Sequence, residues 1–553
     1  MIGEVSGNIT AGLAAMARAR PDALAVLAPA GRDPAGRARH VHWTFRQLDR
    51  EADSVASGLG EVGIGRGARV ALMVKPGLSF FALTFGLLRA GVVPVLVDPG
   101  LGIKHLGPCL ADARPDAFIG IPRAQLARRI LGWGKATIRA SVTIDPSWTP
   151  SHLTLNPITF DADPPPGPGP TRPDDTAAIL FTSGSTGAPK GVVYTHAIFQ
   201  SQVDLLRDTY AIRPGEVDLC TFPLFALFGP ILGMTCVVPE MDFTRPGRAN
   251  AAKIIEAIED FGATNLFGSP ALIRRVGEFA AARGVKLPTL RRVISAGAPV
   301  PARVLATMAG VLGPGSEVFT PYGATESLPV CSIGSGEILG ETRHATDRGA
   351  GVCVGRPVAG MRVEIIPIQN EPIAAWSDSL ALPPGAIGEI VAQGPVVTRS
   401  YFGKNEATAL AKIDDPATGG FFHRMGDVGY RDEGGRIWFC GRKAHRVRTS
   451  QGTLFTIPCE GVFNAHPWVA RTALVGVGEP GQARPVLCVE TIGSLGRRDW
   501  SRLRDELIAL GKTNPTTRSI ETFLRHPAFP VDIRHNAKIF REKLAAWATK
   551  VLA

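Results

Sequence analysis

Paired cysteines are missing from this 553-residue chain. Its eight cysteines (Cys109, Cys220, Cys236, Cys331, Cys353, Cys440, Cys459 and Cys488) stand apart, none in a Cys-x-x-Cys pair. That argues against a zinc site and against a disulfide framework. Cys440 and Cys488 sit in apolar runs and read as small core residues. Reduced thiols suit a cytoplasmic location. Long apolar runs are missing too. The most apolar stretch, Phe80 to Val97, is broken by Arg89 and Pro94. A span needs about 20 uninterrupted apolar residues, so this stretch reads as a buried helix followed by a buried strand, with no transmembrane segment. The N-terminus carries no signal-peptide pattern; Ile9 to Arg20 reads as a helix with Asn8 or Thr10 as its cap. The formal charge is +11, but the basic residues are spread out and no aromatic-basic motif occurs, which argues against a nucleic-acid partner. A solvated basic surface is the plain reading of the charge, and a field that attracts anionic nucleotides is the sharper one. No internal repeat is found.

What is present is an ordinary globular composition, 45% hydrophobic and 20% charged. A prior of roughly 150 residues per domain suggests three or four units. From Thr44, apolar residues at Phe45, Leu48, Ala52, Val55 and Leu59 have helical spacing, with Gly60 and Gly63 available to end the helix. A strand at Val70 to Val74, a helix at Phe80 to Leu88 and a strand at Val92 to Val97 follow. Short apolar strands separated by helices predict a parallel sheet covered on both faces. Asp161 to Asp175, rich in proline and glycine, reads as an exposed connector. The α/β pattern resumes at Thr176 and runs to about Ile365. From Gly388 to Phe439 the texture changes to short β segments with glycine turns. After Arg442 a last unit begins, with strands at Ala473 to Val477 and Pro485 to Thr491 and helices near 500 to 511 and 540 to 550.

The strongest chemical signal is the run from Ile179 to Val193. A strand enters a loop of Thr182, Ser183, Gly184, Ser185, Thr186 and Gly187, and Lys190 follows. Glycines let backbone approach a ligand closely. Successive N–H groups and hydroxyls can then wrap phosphate oxygens, and Lys190 adds a positive charge. The spacing is not that of a Walker A loop.

This loop resembles the phosphate loop of the adenylate-forming superfamily, which comprises acyl-CoA synthetases, peptide-synthetase adenylation domains and luciferases. Its further signatures occur in order. Ser295-Ala-Gly-Ala-Pro299, with Gly297 and Ala298, resembles the segment that packs on adenine. In Thr320-Pro-Tyr-Gly-Ala-Thr-Glu326 the resemblance implies that Tyr322 stacks on adenine, that Gly323 belongs to the nucleotide site, that Thr325 contacts the α-phosphate and that Glu326 holds Mg2+. Asp427, in His423-Arg-Met-Gly-Asp-Val-Gly429, and Arg442 are implied as ribose contacts. Lys538, in Asn536-Ala-Lys-Ile539, is implied as the lysine that reaches in from the small domain during adenylation. Taken singly, Glu326 is equally a helix-start acid, Asp427 a turn residue and Lys538 a surface lysine. Taken together and in order, they imply that ATP and Mg2+ activate a carboxylate.

The runs Thr221 to Pro230, Ser269 to Ile273 and Phe529 to Lys538 resemble a narrower family, the β-lactone synthetases of bacterial long-chain olefin synthesis. That resemblance implies a long-chain 2-alkyl-3-hydroxy acid as substrate, β-lactone and AMP as products, and the β-lactone decarboxylase and reductase of the same pathway as partners. It also places Phe222, Phe225 and Phe228 beside an acyl pocket; core packing is the competing reading of those three rings. Ala444 stands where a hinge Asp or Lys is usual, and Gly452-Thr-Leu-Phe-Thr456 lacks the basic residue of the next signature. Both departures disfavour transfer to CoA. His196, His423 and His535 are the histidines weighed as a base for the 3-hydroxyl, and each is also readable as structural. The expected architecture is α/β: a large N-terminal domain, residues 1–441, of stacked α/β subdomains plus a β-rich subdomain, and a small mobile α+β C-terminal domain, residues 442–553. A fatty acyl-CoA or acyl-AMP ligase is the nearest alternative, and a non-catalytic nucleotide-binding scaffold is the alternative from another class.

Overall fold

The computed structural model describes residues 7–97, 102–144, 171–181, 189–531 and 539–553. The phosphate loop at 182–187, Lys538, His535 and most of the connector at 161–175 lie outside the described residues.

Two sheets form the large N-terminal domain. The first has six strands in the spatial order Ala140–Thr143, Ala117–Gly120, Arg69–Met73, Val93–Leu96, Thr176–Phe181 and Gly191–Thr195. The first five are parallel, and Gly191–Thr195 turns back antiparallel on Thr176–Phe181. The helix predicted from Thr44 forms as Phe45–Glu61. The Thr44 side chain and Gln47 make a reciprocal capping box, and Phe45, Leu48, Ala52, Val55 and Leu59 are all buried. The apolar stretch after it is the buried helix Leu78–Arg89 and the buried strand Val93–Leu96.

The second sheet has fourteen strands. At one end Leu24–Arg32, Thr235–Val237, Val217–Cys220, Asn265–Gly268, Arg292–Ser295 and Glu317–Ala324 run parallel. Ser327–Gly334 then folds back, and the strands beyond it pair antiparallel through Gly388–Gln393 and Gly420–Arg431. The β-rich part therefore starts at Ser327, earlier than the expected change near Gly388. Val352–Pro357 and Arg362–Ile366 are short apolar runs, and local pattern does not distinguish parallel from antiparallel pairing in such runs.

The smaller C-terminal domain has its own cores. Val469–Val477, Arg484–Thr491 and Thr522–Arg525 form a three-stranded sheet flanked by helices Thr456–Asn464, Arg497–Lys512 and Arg541–Leu552. Arg442 ends the strand Ile437–Arg442 of the large sheet. The next residue is anchored: Lys443 Nζ donates to both Glu389 oxygens at 3.1 Å and to the Gln369 carbonyl at 3.0 Å. All eight cysteines are free and buried. Among the described residues no helix is long and apolar enough to cross a membrane.

Candidate active site

A cavity of about 560 Å³ opens between the two sheets, with Arg442, Lys443 and Ala444 on its wall. Its lining includes Lys190, Gly297, Gly323, Thr325, Glu326 and Arg442 at one end and Phe222, Phe225 and Phe228 at the other. Ala298 sits in the half-exposed loop after Arg292–Ser295. Tyr322 and Asp427 stand beside the cavity and bond to each other, the tyrosine hydroxyl donating to Asp427 Oδ2 at 2.7 Å.

The polar end is built by a tight hairpin. Thr325 and Glu326 occupy the turn between Glu317–Ala324 and Ser327–Gly334, so Glu326 is a turn residue and not a helix-start acid. Two long-range hydrogen bonds fix the turn: Tyr194 donates its hydroxyl proton to the Thr325 carbonyl, and Thr398 N–H donates to the Glu326 carbonyl at 2.9 Å. The Glu326 carboxylate accepts from the Tyr401 hydroxyl at 2.7 Å, and Lys190 Nζ lies 4.8 Å from the centre of the Tyr401 ring. Arg442 and Asp427 form an ion pair at 2.9 Å, placed by direct strand register between these two residues. Burial, then the Asp427 charge, raises the Tyr322 phenol well above its ordinary value and keeps it a donor.

Two further groups stand at this end. His423 is buried and lines the cavity. Its Nδ1 is 3.2 Å from the Ala411 carbonyl and 3.1 Å from Lys412 Nζ. Among the described residues its Nε2 has no hydrogen-bond partner. Burial, followed by the Lys412 charge, lowers the His423 pKa and keeps the ring neutral. Lys412 also donates to the Thr398 carbonyl, and burial pulls its pKa down to about 7 against the opposing charge of Glu326. His196 differs. It is buried, accepts from the Ile9 N–H at 3.3 Å, and burial lowers its pKa to about 4, which makes it a structural group of the N-terminal packing. The motif reading missed Tyr401 and Lys412, because neither lies in a recognisable signature and their role comes from contacts 75 and 11 residues away in sequence.

The apolar end is a continuous row of rings. Phe225 stacks on Phe267 at 4.2 Å and meets Phe222 at 5.3 Å and Phe228 at 6.1 Å. Phe228 meets Phe199 at 6.2 Å, and Phe199 stacks on Tyr194 at 4.8 Å. Since Tyr194 holds the Thr325 carbonyl, the row runs from the apolar wall to the polar turn. Behind it, Asp218, Cys220 and Cys236 bring possible metal-ligand atoms within 4.8 Å of one another. The Asn265 amide and the Cys220 thiol already donate to that carboxyl, and burial raises the pKa of all three groups. The cluster is thus internally bonded, and burial opposes the deprotonated forms that a metal needs.

The fold and this site define an AMP-binding enzyme. The chain belongs to that family, whose model matches residues 13–402. At finer grain, it is 50% identical over 551 residues to an olefin β-lactone synthetase of Xanthomonas campestris pv. campestris, covering 98% of each chain. It is 49% identical to an olefin β-lactone synthetase of Stenotrophomonas maltophilia, covering 99% of this chain and 98% of that one. Its fold matches ATP-bound MatB of Rhodopseudomonas palustris with a TM-score of 0.77 at 20% identity, covering 99% and 100% of the two chains. It also matches the O-succinylbenzoate coenzyme A synthetase of Bacillus subtilis in complex with AMP, with a TM-score of 0.74 at 19% identity and 96% and 97% coverage.

Proposed function

We propose that this chain joins ATP to a long-chain 2-alkyl-3-hydroxy acid as an acyl-adenylate and then closes that adenylate on its own 3-hydroxyl, giving a β-lactone and AMP. The observation that carries this reading is the continuity of the cavity, which joins Lys190, Glu326 and Arg442 to Phe222, Phe225 and Phe228 in one volume. An acid whose carboxylate meets a nucleotide at the polar end can lay its alkyl chains among the rings. The relatives at about 50% identity support the same reading.

In the first step a carboxylate oxygen bonds to the α-phosphorus and the bond to the pyrophosphate oxygen breaks. Two anions approach, so fixed positive charge lowers the barrier. Lys190 and Arg442 supply it from the cavity wall, and Lys538 is assigned the bridge between carboxylate and phosphate. In this reading Thr182 to Gly187 wrap the phosphates and Thr325 touches the α-phosphate. Gly297, Ala298, Tyr322 and Gly323 flank adenine, and Asp427 with Arg442 holds the ribose. Mg2+ fits Glu326, whose carboxylate lines the cavity with one oxygen taken by Tyr401; the ion favours a single carboxylate plus phosphate oxygens. When bound, it neutralises charge on the leaving pyrophosphate.

In the second step the 3-hydroxyl oxygen bonds to the acyl carbon, AMP leaves and the hydroxyl proton must go elsewhere. We assign that proton to His423 Nε2. With Nδ1–H donated to the Ala411 carbonyl, the lone pair of the ring rests on Nε2, and the ring lines the cavity. Intramolecular placement can be worth roughly 7–11 kcal/mol in well-oriented cases, part of which ring strain consumes. We also take residues 1–441 and 442–553 as the two domains, the second mobile, in a cytoplasmic enzyme that works beside a β-lactone decarboxylase and a reductase.

The deciding experiment supplies a synthetic 2-alkyl-3-hydroxy acid with ATP and Mg2+, with and without CoA, and reads products by mass spectrometry. A product lighter than the acid by one water, formed without CoA, supports the proposal. An acyl-CoA and no dehydrated product assigns an acyl-CoA ligase. No pyrophosphate release at all assigns a nucleotide-binding scaffold.

A further inference from the structure

Helix Pro122–Leu131 is built inside out. Its small residues Ala124 and Ala127 pack on the cluster of Phe118 and Trp133, and the buried Gln125 amide donates to the Val142 carbonyl at 2.8 Å. Its large apolar side chains face solvent: Leu126 is 59% exposed, Ile130 72% and Leu131 48%. Leu126 and Ile130 are one turn apart and share a face. Arg123 and Arg129 flank that stripe, and both are exposed. A helix that serves only its own core puts leucine inside and alanine or charge outside; this one leaves its apolar stripe for another medium.

The charge around the stripe has one sign. From Ala117 to Ile144 the chain carries Arg123, Arg128, Arg129, Lys135 and Arg139 and no Asp or Glu. Arg123, Arg129, Lys135 and Arg139 are exposed, and among the described residues none pairs with a carboxylate. On the N-terminal side the flanking acids are already engaged, Asp116 with Arg69 at 3.3 Å and Asp112 with Lys404 at 2.9 Å; on the C-terminal side Asp145 lies outside the described residues. The neighbouring helix Ile103–Ala113 packs on the same buried cluster. Its Gly107 lies against Trp133, and one turn earlier Ile103 is 66% exposed beside the exposed Lys104.

We propose that this face, the outer side of Pro122–Leu131, docks on the surface of an anionic lipid bilayer. Apolar side chains flanked by uncompensated arginines and lysines are the composition that seats a helix at the headgroup level, its apolar stripe in the acyl boundary and its cations on lipid phosphates. A protein partner would have to supply a purely acidic rim around an apolar patch, whereas an anionic bilayer offers both together. The docking inference stands on this surface alone and does not depend on which acid is activated.

The test is co-sedimentation of the full chain with vesicles of phosphatidylcholine alone or of phosphatidylcholine mixed with phosphatidylglycerol. The expected result is binding to the mixed vesicles only, weakened by added salt. Arg123→Gln/Arg129→Gln should lower that binding roughly 10- to 30-fold, since each basic residue near an anionic surface contributes a factor of about five. Leu126→Ser/Ile130→Ser should lower it on the order of tenfold by removing inserted apolar area, with the circular dichroism spectrum unchanged. If the serine variant does not fold, the glutamine variant, which alters only exposed side chains, decides alone. Equal binding to both vesicle types, no binding, or full binding by the glutamine variant overturns the proposal. A wild-type dimer that ignores vesicles and dissociates in the serine variant also overturns it and assigns the face to a second copy of the chain.

Discussion

At the polar end of the cavity each group is held by hydrogen bonds or ion pairs from another strand or loop: Glu326 by Tyr401, Asp427 by Arg442 and Tyr322, and Lys412 by His423 and the Thr398 carbonyl. At the apolar end Phe222, Phe225 and Phe228 come from one short segment and pack on each other, helped by Phe267 and Phe199. The two ends therefore tolerate change differently. Hydrogen bonds and ion pairs have direction, and a buried group left alone loses its partner and its water together. Ring packing is non-directional, so a lost ring changes volume and area and leaves no unpaired charge. Substitutions at the polar end should abolish a chemical step; those at the apolar end should change which acid is accepted.

The largest effect is expected at His423. His423→Gln should slow lactone formation by roughly 10²–10⁴, the usual range for loss of a general base, while the first burst of pyrophosphate persists and acyl-adenylate accumulates. If both steps fall equally, the polar end does not divide into an adenylation part and a closure part. Next comes Lys538→Ala, which should cut pyrophosphate release by on the order of 10²–10³ with ATP binding nearly intact. Near-native pyrophosphate release would remove Lys538 from the site. Glu326→Gln keeps the shape of the side chain and drops its charge. It should lower the rate and move the magnesium titration to higher concentration, and an unchanged titration would place the ion elsewhere. At the other end Phe225→Ala should raise KM for a long-chain hydroxy acid by roughly tenfold and leave a short-chain acid nearly unaffected, as expected for a pocket that reads apolar size. A large fall in kcat for both acids would mean that the row of rings positions the reacting groups.

A last readout is the pH dependence of stability. In the unfolded chain the Lys412 amine keeps its proton up to about pH 10.5, and in the folded chain it gives the proton up near 7. Between those values the unfolded state binds more protons, so this residue lowers stability progressively as pH falls from 10.5 to 7 and adds no further cost below 7. Denaturant unfolding of the wild type and of Lys412→Met across that window should show the slope in the wild type and its loss in the variant. A tenfold change in proton affinity corresponds to about 1.4 kcal/mol. Parallel curves would mean that Lys412 stays charged in the folded protein.

Much of the scaffold was legible in the sequence, because the forces that set it act between near neighbours. The Thr44 cap and the five apolar positions after it predict the helix Phe45–Glu61, and its burial follows the same spacing. The order of the signatures around Lys190, Glu326, Asp427 and Arg442 gives the family, because a backbone loop near phosphate admits few residue types. The side of each strand pairing and the charge states in the site lay beyond it. The sequence pattern continues as α/β through Ser327–Gly334, and only its partner strand shows that it pairs antiparallel. The pairing of Tyr401 with Glu326 joins residues 75 positions apart, and Lys412 shifts because folding removes its water. The helix Pro122–Leu131 divides the two kinds of information. Its sequence determines that Leu126 and Ile130 share a face, since that depends on the helical repeat alone. Only the tertiary structure decides that the face points outward, because what covers a side chain depends on packing between distant segments, here Ala124 and Ala127 against Phe118 and Trp133.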